Sequence, residues 1–175
     1  MNYRRYFIPN SMVFITIVTY NRKQFLLDNI DLIKSSIKYT KTKISFDIEA
    51  IVILKDHIHF ILQPENINDY PKIIKHFKTY FSRYININNS DLSEGKKHKK
   101  EKGVWQSRYW AHIILEECDL NKHIDYVHFN PMKHYNIAPK DWKYSSFRKY
   151  VNKNLYDINW CNFDDRYKIS KLDLE

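Results

Sequence analysis

The residues best suited to chemistry in this 175-residue chain lie in two short stretches. The first is KDHIHFIL, residues 55–62, where His57 and His59 stand one residue apart in an apolar run. A β-strand sends alternate side chains to opposite faces, so the two imidazoles share one face while Ile58, Phe60 and Leu62 line the other. Such a pair can hold one metal ion; the plainer reading is two polar side chains on the open face of a sheet. The second stretch is HIDYVHFNP, residues 123–131. On a helix, Tyr126 and Asn130 are i and i+4 and project from one face. Taken singly, Tyr126 reads as a core tyrosine and Asn130 as a helix-terminal residue before proline. Taken with the histidines they make a set: if the helix crosses the open face of the sheet, Asn130 brings an amide oxygen to the ion and Tyr126 a phenol. Three neutral ligands leave a divalent cation its full charge for an incoming phosphate, which suits phosphoryl transfer with Tyr126 as nucleophile.

His123, one turn before Tyr126, is a candidate to orient the phenol or accept its proton, against the plainer reading of a surface histidine. Tyr109, expected on a strand, and Tyr135, expected beyond the helix, are rival phenols without the i, i+4 relation to a ligand. A histidine-triad nucleotide hydrolase would need histidine at position 61, which is Ile61.

The elements that must position these groups follow from periodicity. Met12–Tyr20 is β-branched and aromatic and predicts a first strand, and Leu26, Ile30, Ile33 and Ile37 predict a helix to about Lys41. Phe46–Leu54 predicts a second strand, joined through a tight Lys55-Asp56 connection to a third over His57–Gln63. A helical stripe spans Tyr70–Tyr84, and residues 86–102 are a polar, lysine-rich loop projecting from the domain. Val104–Leu115 predicts a fourth strand, and Asp119 is the expected N-cap of a third helix ended by Pro131. Strand, helix, strand, strand, helix, strand is a split β-α-β plan of the α+β class: an antiparallel sheet with two helices on one face and the tyrosine helix across the other. One domain is expected over residues 1–151, followed by a tail, 152–175, whose aromatic YDINWCNF has no assigned partner.

Lys plus Arg is 29 against 20 Asp plus Glu, a net charge of +9 that favours a polyanionic partner such as nucleic acid or an anionic membrane surface. Arg4, Arg5, Arg22, Lys96, Lys97, Lys99 and Lys100 are candidate phosphate contacts, although a lysine run is commonly only a solvated loop. With 2 glycines in the chain there is no glycine-rich phosphate cradle and no nucleophile elbow, which excludes dinucleotide-binding, P-loop and α/β-hydrolase classes. Cys118 and Cys161 lack zinc-knuckle or disulfide-framework spacing, so a reducing cytoplasm is expected. SMVFITIVTY reads as a buried strand, and no run is long enough to span a membrane.

DHIHFIL, VWQSRYWAHII and HIDYVHFNPMKH, with YRRYF near the start and WKYSSFRKYV up to Val151, resemble the blocks of the REP-associated tyrosine transposases. That family lies in the HUH endonuclease superfamily and is related to small single-strand insertion-sequence transposases. The resemblance implies a ferredoxin-like fold and a Mg2+ or Mn2+ site ligated by His57, His59 and Asn130, with Tyr126 as the single nucleophile. It further implies recognition of palindromic DNA hairpins with a short single-stranded flank, cleavage through a 5′-phosphotyrosine, and strand rejoining. The sequence departs from the family at Lys55, where relatives often have proline, at Tyr135, where they often have glycine, and in an enlarged basic loop. A second reading is a domesticated hairpin DNA- or RNA-binding protein without cleavage, and both monomer and homodimer are open.

Overall fold

In the computed structural model, which describes residues 11–87 and 103–161, four strands form one antiparallel sheet in the order β2-β3-β1-β4. They are β1 (Met12–Val18), β2 (Phe46–Ile53), β3 (His57–Pro64) and β4 (Trp110–Ile114), accompanied by helices α1 (Ile30–Lys41), α2 (Tyr70–Tyr84), α3 (Glu117–Tyr135) and α4 (Phe147–Asn152). Alternation assigns the two faces. Val13, Ile15 and Ile17 of β1 and Ile58, Phe60 and Leu62 of β3 pack with Ile33 of α1 and Ile73, Phe77 and Phe81 of α2. Side chains as fully buried as Ile58 and Phe81 each contribute about 1.5–3 kcal/mol relative to exposure. Phe14, Ala50, Val52 and Ile61 face the other way, against Ile124, Tyr126 and Val127 of α3. A register shift between Ile48 and Ala50 inserts one extra residue in β2, so that Ile48, Ile51 and Ile53 all stay on the α1/α2 side. The split β-α-β plan, with the tyrosine helix on the second face, is the observed fold.

Three local expectations are corrected. The fourth strand covers Trp110–Ile114 instead of Val104–Leu115; its expected first half meets the sheet only at Trp105, which makes an isolated bridge to Thr19. Tyr109 therefore precedes the strand. Asp119 is not the N-cap: the helix starts at Glu117 behind Glu116, and Asp119 lies in its first turn. Pro131 does not end α3, which continues to Tyr135 and closes on Asn136 at φ 58°, a left-handed cap whose N–H bonds the Met132 carbonyl at 3.1 Å. An interior proline costs about 3 kcal/mol or more. Burial of Phe129, Pro131 and Met132, two of them clustered with Cys161, offsets that cost.

Lys55 and Tyr135, two of the departures from the family pattern, touch each other. The Lys55 N–H donates to the Tyr135 hydroxyl at 3.1 Å and its ammonium lies 4.8 Å over the ring. Proline at 55 could not donate, and glycine at 135 would offer no ring, so the two changes support one another. Past Val151 the chain packs back: Tyr156 stacks on Phe147 and Trp160 and donates to Asp125, and Cys161 is buried. The enlarged basic loop, apart from residues 86 and 87, lies outside the described residues. Among the described residues no helix is long and apolar enough to cross a membrane.

Candidate active site

Antiparallel register places the histidines. Thr16 of β1 is directly opposite His59 and Val18 opposite His57, so same-face neighbours meet across the central strand pair. The Thr16 hydroxyl lies 2.8 Å from His59 Nδ1. His57 Nδ1 donates to Asp56 Oδ1 at 2.6 Å, and the other oxygen of Asp56 takes Arg22 Nη1 at 3.1 Å. Burial pushes the Asp56 carboxyl up, but the hydrogen bond and charge of His57, followed by those of Arg22, outweigh it and hold the pKa at about 2. Each imidazole is thus pinned through Nδ1, leaving Nε2 for a ligand role, the usual arrangement of metal-binding histidines. The two rings stand 5.0 Å apart and perpendicular.

Helix α3 supplies the other half. Asn130 is fully buried, and its amide NH2 donates to the Tyr126 carbonyl at 2.7 Å. That bond fixes the amide orientation, so Oδ1 faces His59 and accepts from Nε2 at 3.2 Å. Burial is the main cause holding His59 well below the ordinary imidazole range, with the neighbouring charges of His57, His134 and Lys133 adding to it; the ring is therefore neutral, as a ligand must be. The Tyr126 ring packs edge-on to His59 at 5.4 Å and is 1% exposed. Its hydroxyl accepts from Lys133 Nζ at 3.1 Å, and the same ammonium sits 4.8 Å over the ring. His57, His59, Tyr126 and Asn130 are brought together.

His59 and Asn130 present one edge on which a divalent cation would fit. His59 Nε2 and Asn130 Oδ1 already stand 3.2 Å apart, near the roughly 2.9 Å edge that two ligands share on an octahedral ion with bonds of about 2.0–2.1 Å. Ligation requires Nε2 to lose its proton and Nδ1 to carry one, and the Thr16 hydroxyl can accept from Nδ1 as readily as donate to it.

His123 is buried, against the surface reading. Its Nδ1 donates to the Asp119 backbone carbonyl at 2.8 Å and lies 3.0 Å from the Asp119 carboxylate, and its ring stacks on His112 at 4.8 Å. Burial lowers its pKa. His112, Asp119 and His123 form a His/Asp group able to hold a metal ion, each offering one ligand atom within 4.8 Å of the others. Arg22 is committed to Asp56 beside His57. Arg4, Arg5, Lys96, Lys97, Lys99 and Lys100 lie outside the described residues. Lys133 and His134, whose ring is 4.9 Å from that of His57, were not anticipated. Positions 126, 130 and 134 continue one helical stripe and 133 is i+7 from 126, a signal hidden by ending the helix at Pro131.

Comparison with known proteins identifies the family and the fold. Residues 8–130 match the family described as transposase IS200 like. The chain is 40% identical over 162 residues to a Haemophilus influenzae protein named as a REP-associated tyrosine transposase, covering 91% of this chain and 92% of that one. It is 31% identical over 162 residues to the Escherichia coli REP-associated tyrosine transposase, covering 91% and 90%. A solved REP-associated tyrosine transposase bound to a REP hairpin superposes with a TM-score of 0.75 at 28% identity, over 93% of this chain and 92% of that one. Sequence and fold together place this chain in the IS200-like transposase family, among the REP-associated tyrosine transposases.

Proposed function

We propose that the protein is a metal-dependent single-strand DNA endonuclease and strand transferase acting on hairpin DNA through a 5′-phosphotyrosine at Tyr126. The observation that carries this reading is the Asn130 amide, tied to the Tyr126 carbonyl and aimed at His59. It couples the nucleophile's own helix to the proposed metal ligands. His57, His59 and Asn130 hold the ion, Mg2+ or Mn2+, which when bound supplies Lewis-acid polarisation of the scissile phosphate. The Tyr126 oxygen attacks phosphorus; the P–O3′ bond breaks as the P–O bond to tyrosine forms, and the phenolic proton is made good on the departing 3′-oxygen through solvent. Lys133, donating to that phenolic oxygen, stabilises the charge it carries when its proton leaves. In the reverse direction a 3′-hydroxyl attacks the phosphotyrosine and rejoins the strand. Asp56 and Arg22 hold His57 in place, and Thr16 does so for His59.

The substrate class rests on the net charge of +9 and on the relative solved with a REP hairpin. Incubation with labelled hairpin DNA carrying a single-stranded flank and Mn2+ is expected to give a denaturation-resistant adduct that Tyr126→Phe abolishes. An adduct unchanged in that variant refutes the assignment of the nucleophile. Salt-dependent hairpin binding by the unaltered protein without any metal-dependent product refutes the catalytic reading and favours a domesticated binding protein.

A further inference from the structure

We propose a second metal site, distinct from the His57/His59 centre: His112, Asp119 and His123 bind one zinc-like divalent ion that fastens the start of α3 to the edge strand β4. His112 stands on β4, opposite Phe14 of β1, and Asp119 and His123 are i and i+4 on α3, so both side chains project from one helical face toward the strand. His112 Nε2 donates to Asp119 Oδ2 at 2.8 Å, His123 Nδ1 is 3.0 Å from Asp119 Oδ1, and one ligand atom from each residue falls within 4.8 Å of the others. With Nδ1 donating to the Asp119 backbone carbonyl, His123 offers Nε2 as its ligand atom, and the 2.8 Å between His112 Nε2 and Asp119 Oδ2 lies somewhat inside the roughly 3.3 Å edge of a tetrahedral site with bonds near 2.0–2.1 Å, as expected where a shared proton stands in the ion's place. His112 and Asp119 are partly exposed, which leaves water a route to the remaining position. His123 is 1% exposed and its Nε2 has no hydrogen-bond partner among the described residues, so this ring too is neutral and carries a lone pair that no other described group uses.

Two imidazole nitrogens and one carboxylate select a borderline ion such as Zn2+ or Co2+ over Mg2+, which prefers oxygen ligands. The site lies on the far side of Phe14, whose ring touches His123 at 4.9 Å and, on the catalytic side, His59 at 5.4 Å and Tyr126 at 5.9 Å. An ion here binds no reacting group; it steadies the amino-terminal turns of the helix that bears Tyr126.

Titration of the full chain with Co2+, read by visible d–d absorption and by bound-metal content, tests the site. A variant with His57→Ala and His59→Ala is expected to retain one bound ion per chain with a low-symmetry, four-coordinate spectrum that excess Mg2+ does not erase. His112→Ala, on the partly exposed edge strand, and Asp119→Asn should each remove that ion from the same background while leaving the far-ultraviolet circular dichroism unchanged. The proposal is overturned if the double-histidine variant folds and takes up no Co2+, or if His112→Ala leaves content and spectrum as they were. Neither result bears on hairpin cleavage, so the catalytic reading and this site stand or fall separately.

Discussion

Lowering the pH from 7.5 to 5 is expected to cost the folded protein about 2 kcal/mol through His128 alone. This residue of α3 is fully buried, with Nε2 donating to Ser146 Oγ at 2.8 Å. That hydroxyl is already committed to β2, accepting from the Ile51 N–H at 3.0 Å and donating to the Ile51 carbonyl at 3.2 Å. Nδ1 has no partner among the described residues, and the surrounding rings are Phe147, Tyr150 and Tyr156 at 5.8, 4.8 and 5.5 Å. A second proton on this ring would be buried without an acceptor, and burial accordingly lowers its pKa to about 3. The unfolded chain takes up that proton near pH 6.5 and the folded chain does not. Stability is therefore complete above about pH 6.5, falls as the pH drops, and levels off near the folded value. At pH 5 the unfolded state gains about 1.5 pK units of binding, and at about 1.36 kcal/mol per unit this is about 2 kcal/mol, or roughly 4–8 °C in Tm. His128→Gln keeps a nitrogen able to donate to Ser146 but cannot titrate. Urea denaturation of both proteins at the two pH values isolates the effect, because His59 and His123 titrate alike in each and cancel in the difference. Equal losses of stability in the two proteins would refute the linkage.

Lys133→Met should slow formation of the tyrosyl–DNA adduct about 10- to 100-fold, the worth of one hydrogen bond to a charged oxygen, with hairpin affinity reduced far less; a single-turnover time course beside a binding isotherm separates the two. Asp56→Asn keeps a partner for His57 but removes its charge and that of the Arg22 pair, and is expected to weaken Mn2+ binding about 10- to 100-fold in a direct titration. Phe147→Ala empties a fully buried site beneath Tyr156 and Trp160 and should cost about 3–5 kcal/mol in chemical denaturation, with proteolysis moving to the segment after Val151.

Much of the sheet was legible because its patterns are strong. Alternation in HIHFIL assigned both faces of β3, and the apolar stripe of Tyr70–Tyr84 gave α2 with its observed ends. The face shared by Tyr126 and Asn130 followed from helical spacing alone. Failures came where tertiary packing overrode a local signal. Pro131 is a helix breaker by propensity, yet the buried residues around it carry the helix onward, and with it Lys133 and His134. VWQSRYWAHIIL has strand composition throughout, but only its second half pairs with β1. Thr16 gave no sign of its role, because its meeting with His59 depends on the register of strands 43 residues apart.

The uninterrupted course of α3 through its proline has a mechanical corollary. Phenol, amide and ammonium are mounted on one rod, so their mutual spacing is set by helical pitch and is insensitive to loop rearrangements elsewhere. Opening or closing of such a centre can only be a movement of the whole rod against the sheet, and the span from His59 to Asn130 is the gauge that would register it. On the reading proposed above, a strand of DNA could reach the buried phenol only with such a movement, so adjustment would fall on the protein as well as on the nucleic acid.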